Sequence, residues 1–259
     1  MEQELAWWQQ RFEAACRQQT ANRAATGGIG TLREKMLHGA IKHTIEPNST
    51  YHEVPIERYV ADVVWGERIW EVQTGSFTGL TKKLPVFLQQ GKVTVVYPVP
   101  HYKWLCWVDE ETGEVTPKRR SPKTGQPWEI FYELWRIRPL LKEQNLSFQV
   151  WLIDVEEYRC LNGWGKNKKR GAARYERRPL ALKGIVCFSE PGEYEKLLPP
   201  NLPQPFTRKD FAKCAKCSAT LAARAVQVLE HTGLVAQGGK QGRAILYERV
   251  PLLNPPAKQ

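Results

Sequence analysis

Two short runs of alternating apolar and polar residues, separated by a tight turn, constrain the fold of this chain more than any other feature. They read YVADVVW over residues 59–65 and RIWEVQT over residues 68–74, with only Gly66 and Glu67 between them. A period of two is typical of β-strands, and a two-residue loop that begins with glycine indicates a type II′ turn. The sequence therefore predicts a β-hairpin here.

The turn also fixes which side chains face each other. Trp65 faces Arg68, and stepping outward along both strands places Asp62 opposite Glu71. Side chains directly opposed across antiparallel strands have Cβ atoms about 5 Å apart, and two like charges there are destabilising unless a cation lies between them. Mg²⁺ is bound by one or two carboxylates together with water and phosphate oxygens. With Gln73 two residues further on, the hairpin is a candidate Mg²⁺ site for hydrolysis of a phosphodiester.

A hairpin with one solvated face explains the same residues without a metal. In that interpretation, Asp62 and Glu71 form ion pairs with neighbouring cations such as Arg58 or Lys83. The spacing alone favours neither interpretation, so both stay open.

Other periodic segments place this hairpin in a larger domain. A first helix is predicted at about residues 2–23, before the glycines of residues 26–30 break the chain. Over residues 31–99 the predicted order is helix, strand, strand, strand, helix, strand. The next predicted elements are a hairpin around Gly113, a helix over residues 127–142 and a strand over residues 146–155.

This element order, together with the hairpin carboxylates, resembles the PD-(D/E)XK nuclease superfamily. Its restriction-endonuclease-like core has the order αβββαβ, with an Asp on the second strand and E-x-K or E-x-Q on the third. Asp62 and the run EVQ that begins at Glu71 occupy those positions. The resemblance implies an α/β nuclease-like domain over residues 31–188, in which both carboxylates bind Mg²⁺ or Mn²⁺. Residues 32–160 also resemble an uncharacterised bacterial family, which implies no function.

The same resemblance implies three further catalytic residues. Members often add a Glu from the first helix, and Glu34 is in that place. Gln73 stands where the superfamily most often has a catalytic Lys, and a glutamine can orient water but carries no charge. Lys83, or Lys103 in its place, could supply that charge. Ala61 replaces the Pro of the motif's name.

Two of these residues have alternative explanations. Thr31 and Glu34 have the spacing of a capping box, in which Glu34 bonds to the backbone at the start of a helix. Because Gln73 replaces the catalytic Lys, a nuclease-like domain that has lost its activity stays an open alternative.

The net charge is +11, and two segments carry the excess. Residues 155–183 hold nine Lys and Arg against three acidic residues, and residues 205–259 hold the same numbers. Localised positive charge suits a polyanion such as nucleic acid. Residues 162–178 are predicted to be a flexible, glycine-rich loop that either contacts phosphates or is simply solvated. The loop's basic residues include Lys168, Lys169 and Arg170.

Residues 206–252 resemble a winged helix-turn-helix domain. Thr207 and Ser218 are predicted helix N-caps, Gly233 ends the second helix, and a glycine-rich hairpin follows. In that family the recognition helix enters the major groove of DNA and the wing touches the backbone. Binding of a protein instead of DNA stays open. The implied DNA contacts are Thr220, Arg224 and Gln227 on the helix and Lys240 and Arg243 on the wing.

The expected architecture is a helical segment over residues 1–30, the nuclease-like domain, a proline-rich linker over residues 189–205, and the winged helix. Its predicted function is Mg²⁺-dependent cleavage of DNA by an endonuclease that the winged helix brings to its substrate. Three alternatives stay open: a catalytically inactive DNA-binding regulator, an RNA nuclease, or a nuclease subunit of a mobile-element or defence complex. A homodimer or a larger assembly is compatible with each.

Composition excludes some classes of protein. No apolar run reaches the roughly 18 residues of a membrane span, and the N-terminus is too polar for a signal peptide. Six cysteines are scattered along the chain, and the pair Cys214 and Cys217 lacks the second pair or histidines that a zinc site needs. A cytoplasmic protein with reduced thiols and no membrane association is therefore expected.

Overall fold

The computed structural model describes residues 2–25, 35–109, 112–160 and 173–251. Within these ranges the fold is mixed α/β, with a seven-stranded sheet and a separate two-stranded hairpin. The α-helices are α1 (Glu2–Ala25), α2 (Met36–Ile45), α3 (Leu80–Gln90), α4 (Phe131–Leu134), α5 (Arg208–Cys214) and α6 (Ala219–Thr232). The strands are β1 (His52–Ile56), β2 (Tyr59–Trp65), β3 (Arg68–Val72), β4 (Lys92–Val108), β5 (Arg119–Arg120), β6 (Leu146–Cys160), β7 (Ala173–Phe188), β8 (Val235–Gln241) and β9 (Ala244–Arg249). Short 3₁₀ helices span Ser49–Tyr51, Phe77–Gly79, Pro127–Ile130, Trp135–Leu140 and Pro191–Leu197.

The large sheet has the strand order β1-β2-β3-β4-β6-β7, and β5 pairs with β4. β1, β2 and β3 form an antiparallel meander. After β3 the chain passes through α3 and returns as β4 beside β3. The predicted order of helix, three strands, helix and strand is therefore present from α2 to β4.

The β2–β3 hairpin has the predicted turn and register. Gly66 has a φ of +60°, which the first central position of a type II′ turn requires and which glycine adopts without strain. Trp65 pairs with Arg68, and Val63 pairs with Trp70. The register inferred from the turn is thus confirmed.

Contacts divide the chain into two compact units, the first made of residues 1–74, 96–126 and 150–185. Helix α1, which lies in the predicted N-terminal helical segment, packs into the core of this first unit. Phe12 is fully buried, and Trp8 packs edge-on against Trp151 with ring centroids 5.5 Å apart. The Arg11 guanidinium donates hydrogen bonds to the Thr44 and Ile45 carbonyl oxygens at 2.8 and 3.0 Å. It thereby holds α1 against the C-terminal end of α2, whose last carbonyls have no intrahelical donor.

The second unit comprises residues 75–95, 127–149 and 186–259. Its C-terminal part has the predicted helices and hairpin. Thr207 and Asp210 form a capping box at α5, Ser218 caps α6, and Gly233 ends α6 in the left-handed conformation with a φ of 80°. β8 and β9 pair antiparallel from Val235↔Arg249 to Gln241↔Ala244.

Residues 189–205, predicted to be a linker, are packed into the second unit instead. Pro191–Leu197 form a 3₁₀ helix in which Tyr194 and Leu197 are fully buried. The Tyr194 ring lies edge-on to the Phe188 ring at 4.9 Å. The apolar side chains of Tyr194, Leu197 and Leu198 among the prolines indicated a packed segment, which the proline content of residues 189–205 obscured.

Two other segments differ from the predictions. Residues 127–142 do not form one helix, because Pro139 cannot donate a helical hydrogen bond and Ile137 has a non-helical φ of −110°. Residues 173–178, predicted to lie in a flexible loop, are the first part of β7. The remainder of that loop, with Lys168, Lys169 and Arg170, lies outside the described residues.

Candidate functional site

The predicted carboxylates Asp62 and Glu71 meet at the end of the β2–β3 ladder, beyond the Val63↔Trp70 pair. The Val72 backbone N–H donates to Asp62 Oδ2 at 2.7 Å, and the Asp62 backbone N–H donates to Glu71 Oε1 at 3.2 Å. Each carboxylate thus accepts a backbone hydrogen bond from the strand that carries the other. These bonds hold the two acidic groups, here named the carboxylate pair, beside each other.

The carboxylate pair is largely withdrawn from solvent. Glu71 is fully buried, whereas 18% of the Asp62 side chain is exposed. His38 on α2 lies against it, with Nε2 3.3 Å from Asp62 Oδ2. His38 was not predicted as a site residue. Its position next to Leu37, which lies on the apolar stripe of α2, could have indicated that it faces the protein interior.

The donor set fits a divalent cation only in part. Within the described ranges, no group of three or more His, Cys, Asp and Glu side chains is arranged to hold a metal ion. Mg²⁺ does not require such a group, because it commonly takes one or two protein carboxylates and completes its shell with water and phosphate oxygens. A carboxylate has two oxygens with about four acceptor sites, so the hydrogen bonds described for the carboxylate pair are compatible with a cation as well.

The other predicted catalytic residues lie in different surroundings. Gln73 is half-buried, and its backbone N–H donates to the Val96 carbonyl on β4 at 2.9 Å. Lys83 belongs to the second unit, where its Nζ lies 5.2 Å from the centroid of the Phe87 ring. Glu34 lies outside the described residues.

A second acidic site of the first unit surrounds Glu157 on β6, whose side chain is 2% exposed. Its carboxylate accepts hydrogen bonds from the guanidinium groups of Arg159, at 2.6 and 2.8 Å, and Arg177, at 2.9 Å. Lys103, the alternative catalytic lysine, lies 3.8 Å from the same carboxylate. Burial alone would raise the pKa of Glu157, but the Arg159 hydrogen bonds and the charges of Arg177 and Lys103 outweigh burial and lower that pKa.

The residues predicted to read DNA from α6 are partly covered within the second unit. The Arg224 guanidinium lies 4.9 Å from the ring centroids of both Tyr132 and Trp135. Trp135 Nε1 donates a 2.5 Å hydrogen bond to Gln227 Oε1. Arg224 and Gln227 are half-buried beside these aromatic residues, and their binding to DNA stays a prediction.

The other residues of the predicted winged helix that were expected to contact DNA are exposed. Thr220 at the start of α6 is exposed, as are Lys240 and Arg243 in the β8–β9 hairpin. The sequence of α6 alone does not show that Arg224 and Gln227 contact aromatic side chains whereas Thr220 is exposed. The contacting side chains come from a segment about 90 residues earlier in the chain.

These features define a mixed α/β protein with a buried carboxylate pair on a strand hairpin. The chain belongs to the family described as "Domain of unknown function (DUF8091)", which matches residues 35–189. It is also similar to an "Uncharacterized protein" of Treponema pallidum (strain Nichols), at 29% identity over 224 residues that cover 86% of this chain and 88% of that protein. No solved structure matches the chain. In the part of the chain that the structure describes, no helix is both long and apolar enough to cross a membrane.

Proposed function

We propose that this protein is a metal-dependent DNA endonuclease that hydrolyses phosphodiester bonds at the carboxylate pair. The observation that carries the proposal is the meeting of Asp62 and Glu71 across neighbouring strands, each held by a backbone N–H of the opposite strand. The resemblance of this motif and its element order to the PD-(D/E)XK superfamily supports the same reaction.

In this proposal, Asp62 and Glu71 hold a divalent cation, which would supply Lewis-acid activation of water and neutralise charge on the phosphate. The backbone hydrogen bonds keep both carboxylates oriented before substrate arrives, and preorganised groups stabilise developing charge without reorganising. Gln73 follows Glu71 by two residues and orients the attacking water through its amide.

DNA is the proposed partner because positive charge is concentrated in two segments of the chain. In this proposal the contact is made by the β8–β9 hairpin, with Lys240 and Arg243, and by Thr220, and the exposure of these residues supports it. Arg224 and Gln227 are left out of the proposed interface because Tyr132 and Trp135 cover them.

The test is nicking of supercoiled plasmid in Mg²⁺ or Mn²⁺. Asp62→Ala and Glu71→Gln are each expected to slow cleavage by about a thousand-fold or more, equivalent to about 4 kcal/mol of transition-state stabilisation. Glu67→Gln removes the same charge from the exposed turn of the same hairpin and is expected to cut like wild type.

Equal cleavage by wild type and Asp62→Ala would contradict the proposal, since a contaminating nuclease would then explain the nicks. Anomalous scattering from crystals soaked in Mn²⁺ gives a readout that does not depend on turnover. An ion within about 2.5 Å of both carboxylates is expected.

A catalytically inactive DNA-binding regulator is the second candidate. The observation that favours it is Gln73 in place of the usual lysine. Wild-type protein that binds DNA in a gel-shift assay but leaves plasmid intact in both metals would select this function over the nuclease.

A further inference from the structure

The first unit contains a second feature, here named the cationic pocket. It combines the start of α2, the residues after β3 and the first part of β7, which are distant in sequence. Three cationic side chains and one carboxylate line it, together with a hydroxyl and an aliphatic side chain. The lining residues are Lys35, Leu37, Thr74, Arg174, Glu176 and Arg177.

Positive charge around this pocket exceeds the negative charge that the protein places there. The Arg177 guanidinium donates to Glu157 at 2.9 Å, but Glu157 also accepts from Arg159 and lies near Lys103. One carboxylate therefore serves three cations, and Arg174 is a further cation beside them. Partial burial, followed by the charge of Arg177, lowers the pKa of Arg174, although Arg174 as a whole is exposed to solvent. A bound anion would relieve this repulsion.

The lining is suited to a phosphate group. Guanidinium groups donate paired hydrogen bonds in a fixed geometry that matches phosphate oxygens, whereas Lys35 contributes a mobile positive charge. The Thr74 hydroxyl can donate to another oxygen of the same group. Glu176 opposes an anion, but its Oε1 already accepts the backbone N–H of Arg177 at 3.0 Å.

The pocket shares its supporting elements with the carboxylate pair. Leu37 directly precedes His38, which lies against Asp62. Thr74 follows Glu71 by three residues and lies two residues beyond the end of β3. The same two segments of chain therefore carry both features, although the sequence of neither segment alone indicates a phosphate site.

We propose that the cationic pocket binds a backbone phosphate of the nucleic acid strand and holds that strand for cleavage at the carboxylate pair. The inference rests on the proposed function, because it names how the substrate of that reaction is held. The carboxylate pair would act on one phosphodiester, and Arg174 and Lys35 would bind another phosphate of the same strand.

Equilibrium binding without catalysis tests the pocket. Fluorescein-labelled duplex DNA is titrated with full-length protein in EDTA, and anisotropy is recorded over a range of NaCl concentrations. Removal of one phosphate contact is expected to weaken binding about eight-fold at 0.1 M salt and to flatten the slope of log K against log salt by about 0.9. Arg174→Gln should show both changes. Arg174→Lys should retain most of the salt slope, because it keeps the charge.

The matched control is Arg58→Gln, which removes an exposed arginine in the β1–β2 turn of the same unit. It is expected to bind within about two-fold of wild type with the salt slope unchanged, as for a charge that contacts no phosphate. Equal losses in Arg174→Gln and Arg58→Gln, or wild-type binding by Arg174→Gln, would overturn the inference.

Two outcomes separate this inference from the proposed function. If wild-type protein binds DNA through the cationic pocket but never cuts plasmid, the proposed nuclease activity is wrong and the pocket inference stands. If wild type cuts plasmid but Arg174→Gln binds DNA as tightly as wild type, the nuclease proposal stands and the pocket inference is wrong. If Arg174→Gln folds poorly, thermal unfolding in inorganic phosphate gives a second test. Phosphate should raise the Tm of wild type more than that of Lys35→Gln, which removes another cation of the pocket, and equal shifts would overturn the inference.

Discussion

The two acidic sites of the first unit hold negative charge in different ways. At the carboxylate pair, Asp62 and Glu71 accept backbone hydrogen bonds from each other's strands, and His38 lies beside them. At Glu157, guanidinium groups from β6 and β7 and the Lys103 ammonium from β4 converge on one carboxylate. Glu157 therefore links three neighbouring strands through ion pairs.

The type of donor, more than the number of acidic residues, distinguishes a functional carboxylate from a structural one. Two arginines that clamp a carboxylate neutralise it, and a metal ion could bind only by displacing them. Backbone N–H groups orient a carboxylate without a compensating full charge. Glu157, which two arginines clamp, is therefore part of the scaffold.

The largest expected effect on stability is at Glu157. Glu157→Gln leaves Arg159, Arg177 and Lys103 close together without their shared carboxylate, and removal of one partner from a buried ion pair costs about 3–5 kcal/mol. Urea unfolding at pH 7 measures this loss. Glu13→Gln, which removes a carboxylate from an exposed pair with Arg17, should change the free energy of unfolding by less than about 0.5 kcal/mol. Similar losses in both variants would remove the distinction between a scaffold carboxylate and a surface one.

The carboxylate pair could be predicted from sequence because its geometry is local. A glycine-led turn sets the register of two adjacent strands, and the pairing of Asp62 with Glu71 follows from it. Glu157 could not be interpreted in this way. Its partners Lys103 and Arg177 are 54 and 20 residues away in the chain, and only the sheet order brings them together.

The same contrast applies to the second unit. The caps and the glycine stop of α6 are local signals, so the helix and the hairpin after it were predictable. The face of α6 that is covered was not, because Tyr132 and Trp135 reach it from a distant segment. Local signals therefore located the elements, and long-range packing decided which of their side chains stay accessible.

A smaller effect is expected when a positive charge is introduced at the carboxylate pair. In the proposed nuclease, Gln73→Lys adds a cation that can stabilise charge developing on the phosphate, and about a ten-fold faster nicking of plasmid is expected. Gln10→Lys adds the same charge on the exposed surface of α1 and should leave the rate unchanged. Slower cleavage by Gln73→Lys would indicate that the new lysine neutralises the carboxylates as the arginines neutralise Glu157, and would contradict this expectation.

The smallest expected effect is the pH dependence that Glu157 contributes to stability. Its pKa is lowered in the folded protein, whereas an unfolded glutamate titrates near about 4.3. The unfolded chain therefore takes up the proton first as the pH falls, and the stability contributed by Glu157 is complete above that value and is lost below it. The free energies of unfolding of wild type and Glu157→Gln, measured in urea from pH 7 to pH 3, should begin to approach each other below about pH 4.3, and the difference is lost fully only below the lowered pKa of the folded protein. If the difference in free energy of unfolding between the two proteins stays constant over this range, packing and not charge makes Glu157 a scaffold residue. The contrast between Glu157 and the carboxylate pair would then no longer be electrostatic.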